Sequence, residues 1–289
     1  MISFFSQPKP FQGEFDSIQR KAILSWINLK PQPELILFSD EKNTAKIIAE
    51  EINAIYIQEV KKNEFGTPLI SDIFEKAQKI AKNDILCYIN CDIILMSDFV
   101  KAIDLIKNED NFLMVGQRWD LDLKEEINFK DPEWEKNLKE KIYKEGRLHP
   151  PTGIDYFVFR KGTFSKIPSF AIGRTTYDEW LLWYVWKRKG KIIDATNFIT
   201  AIHQNHSYIN FAFNKEYDPW RTKEAKINLK LAGGYHHCLT IADANYTLTN
   251  NGLKKKSMPF SRKLELLPFI GLLVRQRKKI INLFRKFNV

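Results

Sequence analysis

Residues 1–116 alternate between two hydrophobic periods, and this alternation limits the fold more than any other feature of the chain. Ile2-Ser3-Phe4-Phe5-Ser6 reads as a buried strand. Residues 14–29 then place Phe15, Ile18, Ala22, Ile23, Trp26 and Ile27 at helical spacing on one face. Strand signals return at 35–38, 54–57, 84–89 and 112–116, and helical ones at 43–52, 67–81 and 98–107. Thr67-Pro68 reads as an N-cap followed by proline at the first helical position, and Ser97 as a second cap. Strands separated by helices predict an α/β fold, a mostly parallel sheet with helices on both faces. Such sheets bind ligands beyond the carboxyl ends of their strands, which puts Ser6, Asp40 and Asn90-Cys91-Asp92 on a common edge. The second half is less regular, with helices expected over 132–145, 176–188 and 222–231 and strands over 155–159, 191–194 and 198–203. One catalytic domain over 1–252 and a basic tail over 253–289 are expected.

Charge divides the chain at the same place. The formal net charge is +10, and residues 253–289 hold eleven Lys or Arg against one acid, Glu265, so the remainder is neutral. A nucleic-acid enzyme more often spreads basic charge along a groove of its folded domain, so no nucleic-acid partner is expected. In residues 261–287, Ile270, Leu273, Val274, Ile281 and Phe284 fall on one side at helical spacing. Arg275, Lys278, Lys279, Arg285 and Lys286 fall mainly on the other. This is the pattern of a helix lying in an anionic membrane interface, where each basic residue contributes about 1 kcal/mol. The competing reading is a helix packed on the domain or a partner. The longest charge-free apolar run of the tail, 266–274, is far short of the roughly 20 residues of a spanning helix. Three cysteines make no disulfide framework, and the N-terminus begins directly on a strand. A cytoplasmic protein held peripherally at the inner face of the plasma membrane is expected.

Three stretches can carry chemistry. Asn90-Cys91-Asp92 leaves the apolar strand Ile85-Leu86-Cys87-Tyr88-Ile89, where a carboxylate is costly without a partner. A divalent cation, Mn2+ or Mg2+, is a suitable partner; a turn cap is the plainer role. His203-Gln204-Asn205-His206 follows another apolar strand and can supply an imidazole. Three residues apart in an extended chain, His203 and His206 point to opposite sides, so one of them, His203, is preferred as the ligand. Asp178-Glu179-Trp180 opens a Trp-rich helix, where a carboxylate beside aromatic rings suits a base acting on a sugar hydroxyl; acids also favour helix starts for the helix dipole alone. Asp155, bordered by apolar residues, is the second candidate for the base. Arg174 is placed to hold a phosphate or to pair with Asp178. The loops after Ser6 and around Thr67 are candidate cradles for a nucleoside, or simple connections. His236-His237-Cys238 lacks a second pair at zinc-finger spacing and reads as structural.

Taken in order, FFSQPKPF, IQRKAILSWINL, NEFGTPL, CYINCDIIL, VGQRWDLD, GIDYFVFRKG, IGRTTYDEWLL, IIDATNFITAIHQNHSY and KINLKLAGG resemble the nucleotide-diphospho-sugar transferase superfamily, the GT-A glycosyltransferases, and within it a group from bacteria and plants. The resemblance covers about residues 2–250. It implies a GT-A, Rossmann-like fold and a nucleotide-sugar donor of UDP or GDP type. It also implies a carbohydrate or lipid-linked acceptor. It sets Asn90-Cys91-Asp92 where the family has its metal-binding Asp-x-Asp motif, with Asn90 a departure that lowers the local charge. It matches Asp92 and His203 to metal ligands, Asp178 to the base, and Ser6, Asp40, Thr67, Asn90 and Arg174 to the donor side. Two rivals stand beside this reading. A nucleotidyltransferase should carry a Gly-rich basic loop after the first strand, whereas Ser6-Gln7-Pro8-Lys9-Pro10 has no glycine. A non-catalytic membrane-surface module would bind nucleotide or carbohydrate without turnover.

Overall fold

The computed structural model describes residues 1–39, 44–206 and 222–267. Asp40, and the tail from residue 268 with most of its expected amphipathic helix, lie outside the described residues.

The central sheet has nine strands. They are β1 (Ile2–Ser6), β2 (Glu34–Phe38), β3 (Ile55–Ile57), β4 (Ile85–Ile89), β6 (Phe112–Val115), β9 (Tyr156–Arg160), β10 (Lys191–Asp194), β12 (Tyr246–Thr249) and β13 (Gly252–Lys255). In space they run β3-β2-β1-β4-β9-β6-β10-β12-β13. All but β9 and β13 share one direction: β9 is antiparallel to both β4 and β6, and β13 to β12. The expected mostly parallel sheet is therefore present, with one reversed strand at its centre. Helices α1 (Glu14–Ile27), α2 (Thr44–Glu51), α3 (Ile70–Ile80), α4 (Ser97–Ile106), α5 (Trp134–Glu145) and α6 (Tyr177–Lys187) follow the order of the strands.

Side-chain alternation along β1 builds both cores at once. Phe4 faces the layer of α1 and α4, meeting Trp26 and Phe99 edge-on at 5.9 and 5.3 Å between ring centroids. Phe5 faces the other layer, against Phe74, Tyr88 and Phe159. Because both faces are covered, β1 and β4 are buried over their whole length, and the chain must leave the sheet before it can present a polar group.

A small sheet, β5-β11-β7-β8, grows from the carboxyl edge of the large one. It consists of β5 (Ile93–Ile94), β11 (Ile202–Gln204), β7 (Trp119–Leu121) and β8 (Arg147–Leu148), with α5 packed on it through Leu138 and Ile142. Of these strands only β11 overlaps an expected one, 198–203, because two- and three-residue strands are too short for a periodicity to register.

Three expectations need correction. Thr67-Pro68 does not begin α3. Pro68 and Leu69 instead form antiparallel bridges to Lys62 and Ala171, Asn63 Oδ1 accepts from the Phe65 and Thr67 N–H groups, and the helix starts at Ile70. Ser97 is the first helical residue rather than the cap, and its hydroxyl donates to Glu135. The folded body also continues beyond 252: Gly252–Lys255 completes the sheet, Met258 and Leu266 reach the core, and Arg262 pairs with Asp243 at 2.8 Å. Among the described residues no helix is long and apolar enough to cross a membrane.

Candidate metal and donor site

Asp92 lies in the turn between β4 and β5, where two buried strands force the only polar residues of the segment outward. The turn is fixed by its neighbours. Trp26 Nε1 donates to the Ile93 carbonyl at 2.8 Å, Ser25 Oγ accepts from the Leu95 N–H at 3.1 Å, and the Gln204 N–H reaches the Asp92 carbonyl at 3.3 Å. Asp92 Oδ2 is 3.6 Å from His203 Nε2 and 3.4 Å from His206 Nε2. One ligand atom from each of the three residues lies within 4.8 Å of the others. Burial pushes the Asp92 carboxyl up, but the His206 hydrogen bond and the fields of His203, His206 and Arg118 outweigh it and hold the group at about 2. Burial lowers His203, against the pull of Asp92, and so favours the neutral imidazole that metals bind. Asp92 Oδ1 and His203 Nδ1 are buried without hydrogen-bond partners. An orphaned carboxylate oxygen beside two imidazoles fits a divalent cation.

Both histidines therefore converge, contrary to the expectation that only one would. β11 ends at Gln204, so His206 lies beyond the strand and the alternation of a strand does not fix its side.

Behind the three ligands lies a charge network. Arg118, 8% exposed, donates to Asp155 Oδ2 at 2.6 Å and to Asp120 Oδ1 at 2.9 Å. Asn90 Nδ2 donates to the other Asp155 oxygen at 2.7 Å. The carboxylate of Asp155 is thus held on both oxygens, and the Asn90 amide is turned toward it. His149 Nδ1 lies 2.7 Å from Asp120 Oδ2, and Asp120 Oδ1 is 3.6 Å from His203 Nδ1. Arg118 and Asp120, two apart on one extended stretch, face the same side. Neither was singled out in the sequence, although VGQRWDLD contains both.

Asp178 stands in the first turn of α6. Burial, then Glu179 and Asp155, push its carboxyl well above the usual carboxylate range. Thr176, the N-cap before it, has φ of 94°, a conformation that a β-branched residue rarely adopts and that costs on the order of 1–3 kcal/mol. The aromatic rings expected beside Asp178 are partly committed elsewhere. Trp180 is buried against Phe170, and Trp183 stacks on His237 at 3.8 Å. His237 Nδ1 lies 2.6 Å from the Ala232 carbonyl, in keeping with a structural histidine.

Ser6 ends β1 beside Cys91, its hydroxyl buried at the carboxyl edge. Thr67 and Arg174 gather at a different point. Arg174 grips Glu224 at 2.7 and 2.8 Å, and Asn63 and Thr67 bond the same carboxylate. Arg174 therefore pairs with Glu224, not with Asp178.

The strand order and the ligand cluster at its carboxyl edge define a GT-A type α/β fold. The chain is similar to a solved structure described as GalNAc-T7 with UDP, GalNAc and Mn2+, with a TM-score of 0.51 and 14% identity over 80% of this chain and 48% of that one. It thus spans about half the length of that protein. A mycobacterial protein of known structure is similar with a TM-score of 0.47 and 15% identity over 81% of this chain and 75% of that one. No protein-family model and no curated protein sequence matches the chain.

Proposed function

We propose that this protein transfers a sugar from a nucleotide-diphosphate-sugar donor to a hydroxyl acceptor with the help of a divalent cation. The observation that carries this reading is the convergence of Asp92, His203 and His206 at the carboxyl edge of a GT-A sheet. The similar protein described with UDP, GalNAc and Mn2+ supports the donor class. Asp92, His203 and His206 would hold the cation, and two imidazoles suit Mn2+ better than Mg2+, which prefers oxygen ligands. When bound, the cation offsets the negative charge of the leaving nucleoside diphosphate. Asp178 accepts the proton of the acceptor hydroxyl if the transfer inverts. Asp155, clamped by Arg118 and Asn90, makes Asp178 the stronger base by repulsion. Ser6 and Asn90 line the donor side.

A thermal-shift screen of nucleoside diphosphates and nucleotide sugars, with and without Mn2+, tests this. One nucleotide class should stabilise the protein only when Mn2+ is present, and Asp92→Ala should abolish that shift. At 100 times Kd the ligand contributes about 2.7 kcal/mol. Equal shifts without metal, or in the Asp92 variant, would remove Asp92 from the site.

We also propose that residues 268–289 hold the enzyme at the anionic cytoplasmic face of a membrane, near a glycan or lipid-linked acceptor. Six Lys or Arg and no acid fall in this segment. Deleting it is expected to leave the described fold intact and to abolish co-sedimentation with anionic vesicles. Undiminished binding of the shortened chain would move the contact elsewhere.

A further inference from the structure

Lys9 occupies a loop, Pro8-Lys9-Pro10, whose prolines restrict the backbone on both sides. Gln19 of α1, 2% exposed, holds the residue from both directions. Its Oε1 accepts from the Lys9 N–H at 2.7 Å, and its Nε2 donates to the Lys9 carbonyl at 3.0 Å. The ammonium rests 4.0 Å from the centre of the Phe15 ring. That ring meets His206 edge-on at 5.0 Å, and His206 reaches Asp92 at 3.4 Å. This sequence of contacts delivers a cation to the rim of the three candidate metal ligands, on a backbone that cannot swing away.

Among the described residues the ammonium is held by an aromatic face and not by an acid. Among the described residues no carboxylate comes within ion-pair distance of it; the acids whose fields it feels are Asp92 and Glu14. The other acids behind the site are already matched, Asp155 and Asp120 by Arg118 and His149. A lysine and a divalent cation in one pocket repel each other, whereas an anion of two phosphates between them attracts both.

We propose that Lys9 binds the diphosphate of the donor beside the candidate metal ligands, an assignment that rests on the donor reading above. The loop after β1 then serves the phosphates rather than the nucleoside alone. Lysine acts here as a point charge on a long stem, fixed at its base and steered at its tip by Phe15.

Calorimetry on the full chain in Mn2+ tests this, with UDP, GDP, ADP and inorganic pyrophosphate as probes and a separate titration of Mn2+ alone. Lys9→Gln is expected to weaken the best-bound diphosphate, and pyrophosphate, by about 10- to 100-fold, the range for a hydrogen bond to a charged group. Mn2+ alone should bind the variant as well as the parent, or better, and Lys9→Arg should recover most of the diphosphate affinity. Unchanged diphosphate affinity in Lys9→Gln overturns the proposal while leaving the donor reading standing. Loss of Mn2+ binding in the same variant also overturns it, because Lys9 would then be building the pocket. If the parent protein binds none of the four probes with Mn2+, the donor reading fails and this assignment fails with it.

Discussion

Asp178→Asn is expected to lower turnover of the donor by at least about 100-fold, the low end for removal of a general base, while nucleotide binding stays unchanged. Asparagine keeps the shape of the side chain and still accepts the Glu179 N–H that the carboxylate accepts. What it loses is a carboxyl made more basic by burial and by the neighbouring Glu179 and Asp155. Because the folded-state value is raised, the basic form is depleted as pH falls. The acid limb of the rate should therefore lie above the ordinary carboxylate range and vanish in the variant. The stability effect has the opposite sign. Below the unfolded-state value the carboxyl is protonated in both states and costs nothing, and the penalty grows as pH rises toward the folded-state value. Asp178→Asn should thus be more stable than the parent at neutral to alkaline pH and equal to it in acid. Single-turnover rates with the best donor, read across pH, check the first claim, and urea titrations the second. A loss in rate of less than about tenfold would exclude Asp178 from the proton transfer.

Arg118→Met is expected to destabilise the fold by about 3–5 kcal/mol, the usual cost of leaving a buried charge unpaired. Arg118 and Asp155 have side chains only 10% and 8% exposed, and they meet at 2.6 Å. Without the guanidinium, Asp155 and Asp120 both lose the cation that donates to them. Adding Asp155→Asn should restore a large part of the loss, and the two changes should be strongly non-additive. Urea unfolding of both single variants and the double variant measures this directly. A cost below about 1 kcal/mol for Arg118→Met would mean that the pair is solvated and does not hold the site together.

The two variants probe parts of the molecule that were unequally visible in the sequence. Asp178 and Asp92 could be singled out because each ends or begins a strongly periodic segment, and a carboxylate at such a junction is conspicuous. The parallel sheet was legible for the same reason: β1, β4 and β10 are apolar runs bounded by polar residues, and the helices between them have a single apolar face. The small sheet was hardly legible. β5 and β8 have two residues each, too few to show a period, yet this sheet sets His203 opposite Ile93 and Asp120.

The roles of polar residues depended on distance in space. Arg174 could be marked as a phosphate ligand or a partner of Asp178, but the helix Lys223–Leu231 brings Glu224 to it instead. Thr67-Pro68 had the composition of a helix start, but pairing with Lys62 and Ala171 kept that segment extended. His206 was set aside because an extended strand alternates, but β11 ends at Gln204 and His206 lies beyond it.

Local hydrophobic period is a property of consecutive residues, so the strand–helix order of the large sheet, its two covered faces and its carboxyl edge could be read from the sequence alone. Pairings between residues 37 to 114 positions apart, such as Arg118 with Asp155 or Asp92 with His206, arise from the closing of the chain on itself. Only the tertiary structure could decide them, because Coulomb energy and hydrogen bonding act through distance in space.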